Sequence, residues 1–498
     1  MYKKLTKIYE FLTIFHNRME LKMNPGLIFG NLKSLIFVDK YVLRGRDYSK
    51  TSIASRMLLT VTVCIASATF VRAVESGEGS NSSLNTGVAE VMEPVGLLLQ
   101  WQQDPTTTMT IDWHTTDGQI NPKLEYQALD SEQWHQAQSI SIGFPYSDDR
   151  VIHRVELTGL EPATKYRFRM PGVDQPYKFR TMPDNAHEPV RFITGGDTGT
   201  GDEFRKTNQV AALFDPEFIV WGGDLAYANG DPRRIDRWYR WFDDIMETLI
   251  TPSNRVIPVQ VTIGNHEVFR TSRLERENEK DLTWPMRKWG LEDRRATFFD
   301  TIFAMPGQKG WGLLDFGDYM TIFLLDTDHG KGSTVAGEPQ TVWLEKTLKK
   351  RRHVPHLFPV YHVPAYSSVR GIDGAGKERI RDNWVPLFEE NGVRVVFENH
   401  DHAYKRTYPI KNERINPNGL VFIGDGAWGV RPREIASRQD ESDRERWYEE
   451  GADRPWFLKR AEAVHHFILV TVHGPHQHFI MIDNDNNIVD EYPATIRP

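Results

Sequence analysis

The sequence predicts two folded regions in tandem, an all-β sandwich followed by an α/β domain. Two patterns carry this. Between about residues 92 and 184, short runs alternate apolar and polar residues with period two and are punctuated by turn residues. From about residue 185, continuous apolar runs alternate with stretches of helical spacing, and five of those runs end in polar side chains. A chain of 498 residues, 39% hydrophobic and 11% aromatic, has room and core material for both. That composition excludes a disordered or fibrous chain.

Charge and cysteine usage narrow the function classes. The first 73 residues hold twelve Lys/Arg against four Asp/Glu, a surplus of eight positive charges. The whole chain is at −7, so the remainder stands at −15, which argues against a phosphate-backbone binder; no nucleic-acid partner is expected. The single cysteine, Cys64, allows neither an internal disulfide nor a thiolate zinc site. Seventeen histidines leave nitrogen and oxygen as the available metal donors.

In order along the chain, residues 1–73 combine a basic extension with an apolar run, Met57 to Phe70, behind Arg56. The run is too short to span a bilayer and suits a signal-peptide core, with small-residue cleavage sites at Ala66-Ser67-Ala68 and Val71-Arg72-Ala73. The expectation is a processed export signal around residues 56–73, a secreted or periplasmic protein, and no transmembrane span in the mature chain. Translation from Met57 would explain the odd upstream stretch; a cytoplasmic extension with a membrane anchor is the alternative. Residues 74–91, rich in Gly, Ser and Asn, predict a flexible linker.

Residues 92–184 contain the strand patterns Thr110–His114, Leu124–Tyr126, Val151–Leu157 and Tyr177–Phe179. Their spacing suggests a sandwich of immunoglobulin or fibronectin type III style. The run Leu160-Glu-Pro-Ala-Thr-Lys-Tyr166 resembles the fibronectin type III strand with its packed tyrosine. His114 and His153 fit strand-face positions better than ligand positions. In residues 185–498, helices are expected over 204–214, 233–250, 340–352 and 377–391.

The five apolar strands end, in order, in Asp197-x-Gly199, Gly223-Asp224-x-x-Tyr227, Gly264-Asn265-His266-Glu267, His362 and His400-x-His402. Singly these are weak: Asp-x-Gly is often a turn, and a lone histidine is often a core residue. Together, three His, two Asp, an Asn and a Tyr are too many donors for one tetrahedral ion and suit two metals sharing a carboxylate.

That order resembles the dinuclear metallophosphoesterases and, through the Tyr three residues after the second Asp, the purple acid phosphatases with a fibronectin type III-like N-terminal domain. Trp384–Phe388 and Ala403–Thr407 are similar to family text, and the likeness runs from about Met92 to the C-terminus. It implies a calcineurin-like metallophosphoesterase domain over 185–498. It also implies that Asp197, Tyr227 and His402 hold a ferric ion, and that Asn265, His362 and His400 hold a divalent iron, zinc or manganese. Asp224 bridges the two, and His266 contacts the phosphate and protonates the leaving group. Asn265 would also face the substrate.

Two family positions differ: Asn399 stands where the family has Gly, and Pro359 where it has Val. The substrate-facing histidines of the larger plant-type enzymes, between the last two motifs, are absent as well. Arg370 and Tyr366 are the residues expected to replace them. The resemblance implies an exported acid phosphatase that hydrolyses phosphate monoesters with metal-activated water, its partner a small phosphoester. A phosphodiesterase on nucleotides or phospholipids, or an inactive surface binding module, are the competing readings. Gly424-Asp425-Gly426 reads as a turn at the pocket rim, His465 as a residue near the outer shell, and His473, His476 and His478 as a strand-region tract without metal.

Overall fold

Period-two alternation gives strands such as Val151–Leu157 and Lys165–Arg169 one apolar face, and the two sheets bury such faces against each other. The first sheet runs Gly96–Gln100, Met109–Thr115, Val151–Leu157, Ile140–Gly143 in spatial order. The second runs His135–Gln138, Lys123–Ala128, Lys165–Arg169, Tyr177–Arg180. Every pairing is antiparallel. Tyr166 is buried, and its hydroxyl accepts the Glu161 N–H at 2.9 Å, which ties the turn before its strand to the sheet.

The computed structural model describes residues 94–493 except 117, 119–120, 148, 271–294, 436–446 and 448–453. The expected export signal, Cys64 and the linker lie outside the described residues. No described helix is long and apolar enough to cross a membrane.

Met109–Thr115 is buried at every position, although its alternation predicts one wet face, and Gly96–Gln100 beside it is buried throughout as well. The reason is a second contact. Trp101 meets Phe218 and Phe316 edge-to-face at 5.5 and 6.0 Å, and His114 lies 4.4 Å from the Phe242 ring. Arg154 grips Asp112 at 2.6 Å and reaches the Ile302 carbonyl at 2.8 Å. Arg150 sits 4.5 Å over the Tyr239 ring. The sandwich thus shares its core with the α/β region.

The apolar strand runs of that region fall into two sheets. Val259–Val261, Ile219–Trp221 and Val190–Gly195 are parallel neighbours, and the antiparallel His466–His473, His476–Asp483 and Ile488–Tyr492 complete their sheet. The other contains Gly312–Phe316, Met320–Leu324, His356–Val360, Val395–Glu398, Val421–Gly424, Tyr404–Thr407 and Leu458–Glu462, in that order. Phe192 of one sheet lies 5.7 Å from Phe358 and 6.4 Å from Phe397 of the other, an aromatic layer between them.

Three of the expected helices are observed near the predicted bounds, at Asp202–Ala212, Ile235–Thr248 and Pro339–Lys350. The helix expected over 377–391 is two, Ala375–Asn383 and Val385–Glu390, meeting at Trp384. Pro386 lacks the N–H and crowds the preceding turn, so one helix ends and another starts with proline in its first turn. Pro359 has a related effect. The strand containing it is in register with Val395–Glu398 at one pair alone, Val360 with Phe397.

Candidate metal centre

The parallel strands of both sheets point their C-terminal ends to one place, where the chain must turn sharply while keeping short polar side chains inward. The turns take backbone geometry that L-residues seldom adopt: Asp197, Asp224, Tyr227, His400 and His402 all have φ between 54° and 81°. Close approach adds to the constraint. A Cβ on Gly264 would lie 2.4 Å from the Asp224 nitrogen, so only glycine lets those two turns meet.

The side chains converge in two adjoining sets. In the first, Asp197 Oδ1 is 3.0 Å from both Tyr227 Oη and His402 Nε2, and these two are 3.1 Å apart. In the second, His362 Nε2 is 3.1 Å from Asp224 Oδ2, 3.0 Å from His400 Nδ1 and 3.3 Å from Asn265 Oδ1. Asp197 joins the sets, since its other oxygen accepts the His400 N–H at 2.8 Å.

Neighbouring ligands of an ion with bonds of about 2.1 Å stand roughly 3.0–3.4 Å apart at octahedral or tetrahedral angles. The observed edges lie in that range, and the donors are the carboxylate, phenol, amide and imidazole types that hold transition metals. His362 Nδ1 donates to the Gly222 carbonyl at 2.9 Å, which leaves Nε2 as the free donor atom. Among the described residues, Asp224, His362 and His400 are the one cluster of carboxylates and imidazoles close enough to share an ion, within 4.8 Å.

Electrostatics agree with a cation-demanding site. Burial, and then Asp197 and Asp224, push the Tyr227 phenol well above its usual range, so a cation is needed to draw out its phenolate. Burial opposes charge on Asp224, but His362 and His266 overcome it and hold the carboxyl well below its usual range.

His266 stands beside the second set. Its ring lies 4.0 Å from that of Tyr227 at a tilt of 35°, its backbone N–H donates to Asp224 at 2.7 Å, and its Nδ1 lies 2.5 Å from Asn229 Oδ1. Arg370 is a third exposed and bonds the His400 carbonyl at 2.7 Å, so it belongs to the rim. Tyr366 is a correction. It is fully buried among Phe422, Phe457 and Trp447, with ring centroids at 4.8, 5.2 and 6.5 Å, and a side chain sealed in that core has no access to a substrate. His465 bonds the Ala427 carbonyl at 3.2 Å and stands outside both donor sets.

Several residues that organise the site were given no role by the sequence. Glu267 accepts the Asp224, Gly264 and Leu225 N–H groups, each at 2.8 Å, and so clamps two of the turns together; burial and Asp224 push its carboxyl up to about 7. Beneath the His400-x-His402 turn, buried Lys405 binds Glu398 at 2.5 Å and Asp425 at 3.2 Å. The Asp425 carbonyl accepts the His402 N–H at 2.8 Å. Between the histidines, Asp401 accepts the Ser368 and Val369 N–H groups at 2.9 and 3.0 Å. Asn399 donates to the Tyr361 carbonyl at 2.9 Å, and a Cβ on Gly222 would fall 1.7 Å from its amide nitrogen. The side chain that replaces a family glycine thus occupies room left by another glycine.

Residues 94–181 match the family model described as purple acid phosphatase, N-terminal domain, and residues 190–404 match that of the calcineurin-like phosphoesterases. The probable purple acid phosphatase 20 of Arabidopsis thaliana is 26% identical, over 64% of this chain and 71% of its own. Purple acid phosphatase 21 of the same plant is 27% identical, over 65% and 69%. Among solved structures, the purple acid phosphatase PPD1 from yellow lupin (Lupinus luteus) seeds superposes with a TM-score of 0.62 at 18% identity, covering 80% of this chain and 73% of that one. PhoD superposes at 0.56 with 12% identity, over 83% and 94%. These two show the shared fold. With both family models in the family's order and purple acid phosphatases among its relatives, the chain belongs to the purple acid phosphatase-like metallophosphoesterases and is a metal-dependent phosphoesterase.

Proposed function

We propose that the chain is an exported acid phosphatase that hydrolyses phosphate monoesters at two metal ions. Asp197, Tyr227 and His402 would hold a ferric ion, Asn265, His362 and His400 would hold a divalent iron, zinc or manganese, and Asp224 would be the carboxylate they share. The observation that carries this is the pair of adjoining donor sets with edges of 3.0–3.3 Å, one hard and phenolic, one rich in imidazole. Two bound cations would lower the pKa of water and offset the charge of the transferring phosphoryl group.

The remaining work falls to this chain's own residues. Asn229 accepts from His266 Nδ1, which leaves Nε2 to face the leaving oxygen, and the imidazolium form of the ring, protonated at both nitrogens, gives its Nε2 proton there. Arg370, fixed on the His400 carbonyl, offers a guanidinium to a phosphate oxygen from the rim. The monoester assignment is supported by relatives named purple acid phosphatases. Export is supported by the apolar run behind Arg56.

Metal analysis of the purified protein, with rates on 4-nitrophenyl phosphate and bis(4-nitrophenyl) phosphate, tests the reading. Two metals per chain and faster cleavage of the monoester are expected. A metal-free, inactive protein would indicate a binding module, and preference for the diester would overturn the monoester assignment. N-terminal sequencing of protein recovered outside the cytoplasm tests export; an intact Met1 start there refutes processing.

A further inference from the structure

The chain is acidic, yet one cavity beside the metal centre is lined by cations. It has a volume of about 550 Å³, and its polar wall includes Arg295, Lys309, Lys331 and a single acid, Asp300. That volume is in the range of small-molecule sites. Lys309 and Lys331 are exposed. Both act on half-buried Asp300, where burial raises the carboxyl and the two ammonium groups oppose that. Asp300 is thus one carboxylate acted on by two lysines.

The cavity adjoins the catalytic centre through two of its lining residues. Ile263 directly precedes the Gly264-Asn265-His266 turn, and Gly330 follows His329, whose ring lies 5.5 Å from that of His362. The loop between the cavity and the centre is held firmly. Buried Asp326 accepts the His329 N–H at 2.7 Å, the Gly330 N–H at 2.9 Å and the Gly332 N–H at 2.8 Å. Gly310, also on the cavity wall, packs toward the same carboxylate: a Cβ there would sit 3.7 Å from Asp326 Oδ2. A wall built on three backbone bonds to one buried acid presents its lysine in a defined place.

A concave surface with excess charge of one sign concentrates the opposite sign at its mouth. The reacting phosphate belongs at the donor sets, so an anion drawn to Lys309 and Lys331 is a different group of the same substrate. We propose that this cavity is a second anion subsite, and that the enzyme's substrate class is phosphate esters whose leaving group carries a further phosphate. This rests on the phosphoesterase reading and extends it. Water oxygen bonds to the reacting phosphorus, the bond to the leaving oxygen breaks, and that oxygen takes a proton. Orthophosphate and an alcohol that still bears its second phosphate are released.

The test compares glucose 1-phosphate with glucose 1,6-bisphosphate, using the full metal-loaded chain and the Lys309→Ala/Lys331→Ala double variant. For the wild type, KM should be lower for the bisphosphate, and the double substitution should raise KM for the bisphosphate about tenfold more than for the monophosphate. Calorimetric titration of both sugars into His266→Ala protein, with and without the lysine substitutions, reads binding apart from turnover; the lysine-dependent loss of affinity should appear for the bisphosphate alone. Equal effects on both sugars, or none, overturn the subsite. A wild type that hydrolyses neither sugar nor 4-nitrophenyl phosphate overturns the phosphoesterase reading instead, while the calorimetry still decides whether the lysines bind the second phosphate.

Discussion

Nδ1 of His266 lies 2.5 Å from the amide oxygen of Asn229. An amide oxygen only accepts, so Nδ1 carries a proton and the opposite nitrogen, Nε2, is the one that can meet a substrate; to give a proton there the ring must be the doubly protonated imidazolium. If His266 is a general acid, His266→Ala should keep both metals and lose on the order of 10²–10⁴-fold in kcat on an alkyl phosphate. The loss should be smaller on 4-nitrophenyl phosphate, whose leaving group needs little protonation. Asn229→Ala should lose part of the same rate, through a ring that is no longer held. Rates on both substrates with metal content check this; a metal lost from His266→Ala, or equal slowing on both substrates, refutes the general-acid role.

Tyr227 separates a phenolate ligand from a core tyrosine. With iron(III) in the first donor set, the protein should be pink to purple, and Tyr227→Phe should remove that absorption while the fold persists. The hydroxyl is the only atom removed, and its partners Asp197 and His402 remain in place. A visible spectrum and an iron assay decide: colourless wild-type protein with stoichiometric iron would rule Tyr227 out as a ligand.

Lys405 is buried between Glu398 and Asp425 under the His400-x-His402 turn. Removing one partner of a buried ion cluster leaves charge without compensation and costs about 3–5 kcal/mol. Lys405→Met should therefore destabilise the fold by that order, and Lys405→Met/Glu398→Gln should recover part of it. Urea unfolding midpoints measure both. If the single variant matches the wild type, the cluster has no structural role.

His466 makes stability depend on pH. Burial pushes its imidazole down to about 4, and its Nδ1 bonds the Val464 carbonyl at 3.1 Å. The unfolded chain, with an ordinary histidine near 6.5, binds the proton first as pH falls. The stabilisation is therefore complete above about pH 6.5 and drains away toward pH 4, reaching about 2–3 kcal/mol at pH 4.5. His466→Phe should lose that much less between pH 7 and 4.5, measured by urea unfolding at both. Parallel losses in the two proteins would refute the assignment.

The convergence of the candidate site was legible because its residues come from strand ends, where spacing along the chain and convergence in space coincide. Asp197, Asp224, Asn265, His362 and His400 each follow an apolar run, and the runs fold so that their ends meet. Periodicity says nothing about which sheet a run joins, and the division into two sheets depends on the C-terminal strand His466–His473 pairing with Val190–Gly195. Tyr366 was misread because it neighbours a real rim residue, Arg370, while burial depends on Phe422 and Phe457, far along the chain. Glu267 and Lys405 stood within the quoted runs, but their roles were invisible for a similar reason. Their partners are backbone groups and acids brought close only by the finished fold.

The contact between the sandwich and the α/β region bears on how the chain is made and inherited. Trp101, His114 and Arg154 leave the ribosome before Phe218, Phe242 and Ile302, the groups that cover them. During synthesis the first half therefore waits with an unfinished apolar side, open to wrong partners, until the second half arrives. The same seam means that either part, moved alone into another protein, would arrive with an apolar side that its new neighbours must cover.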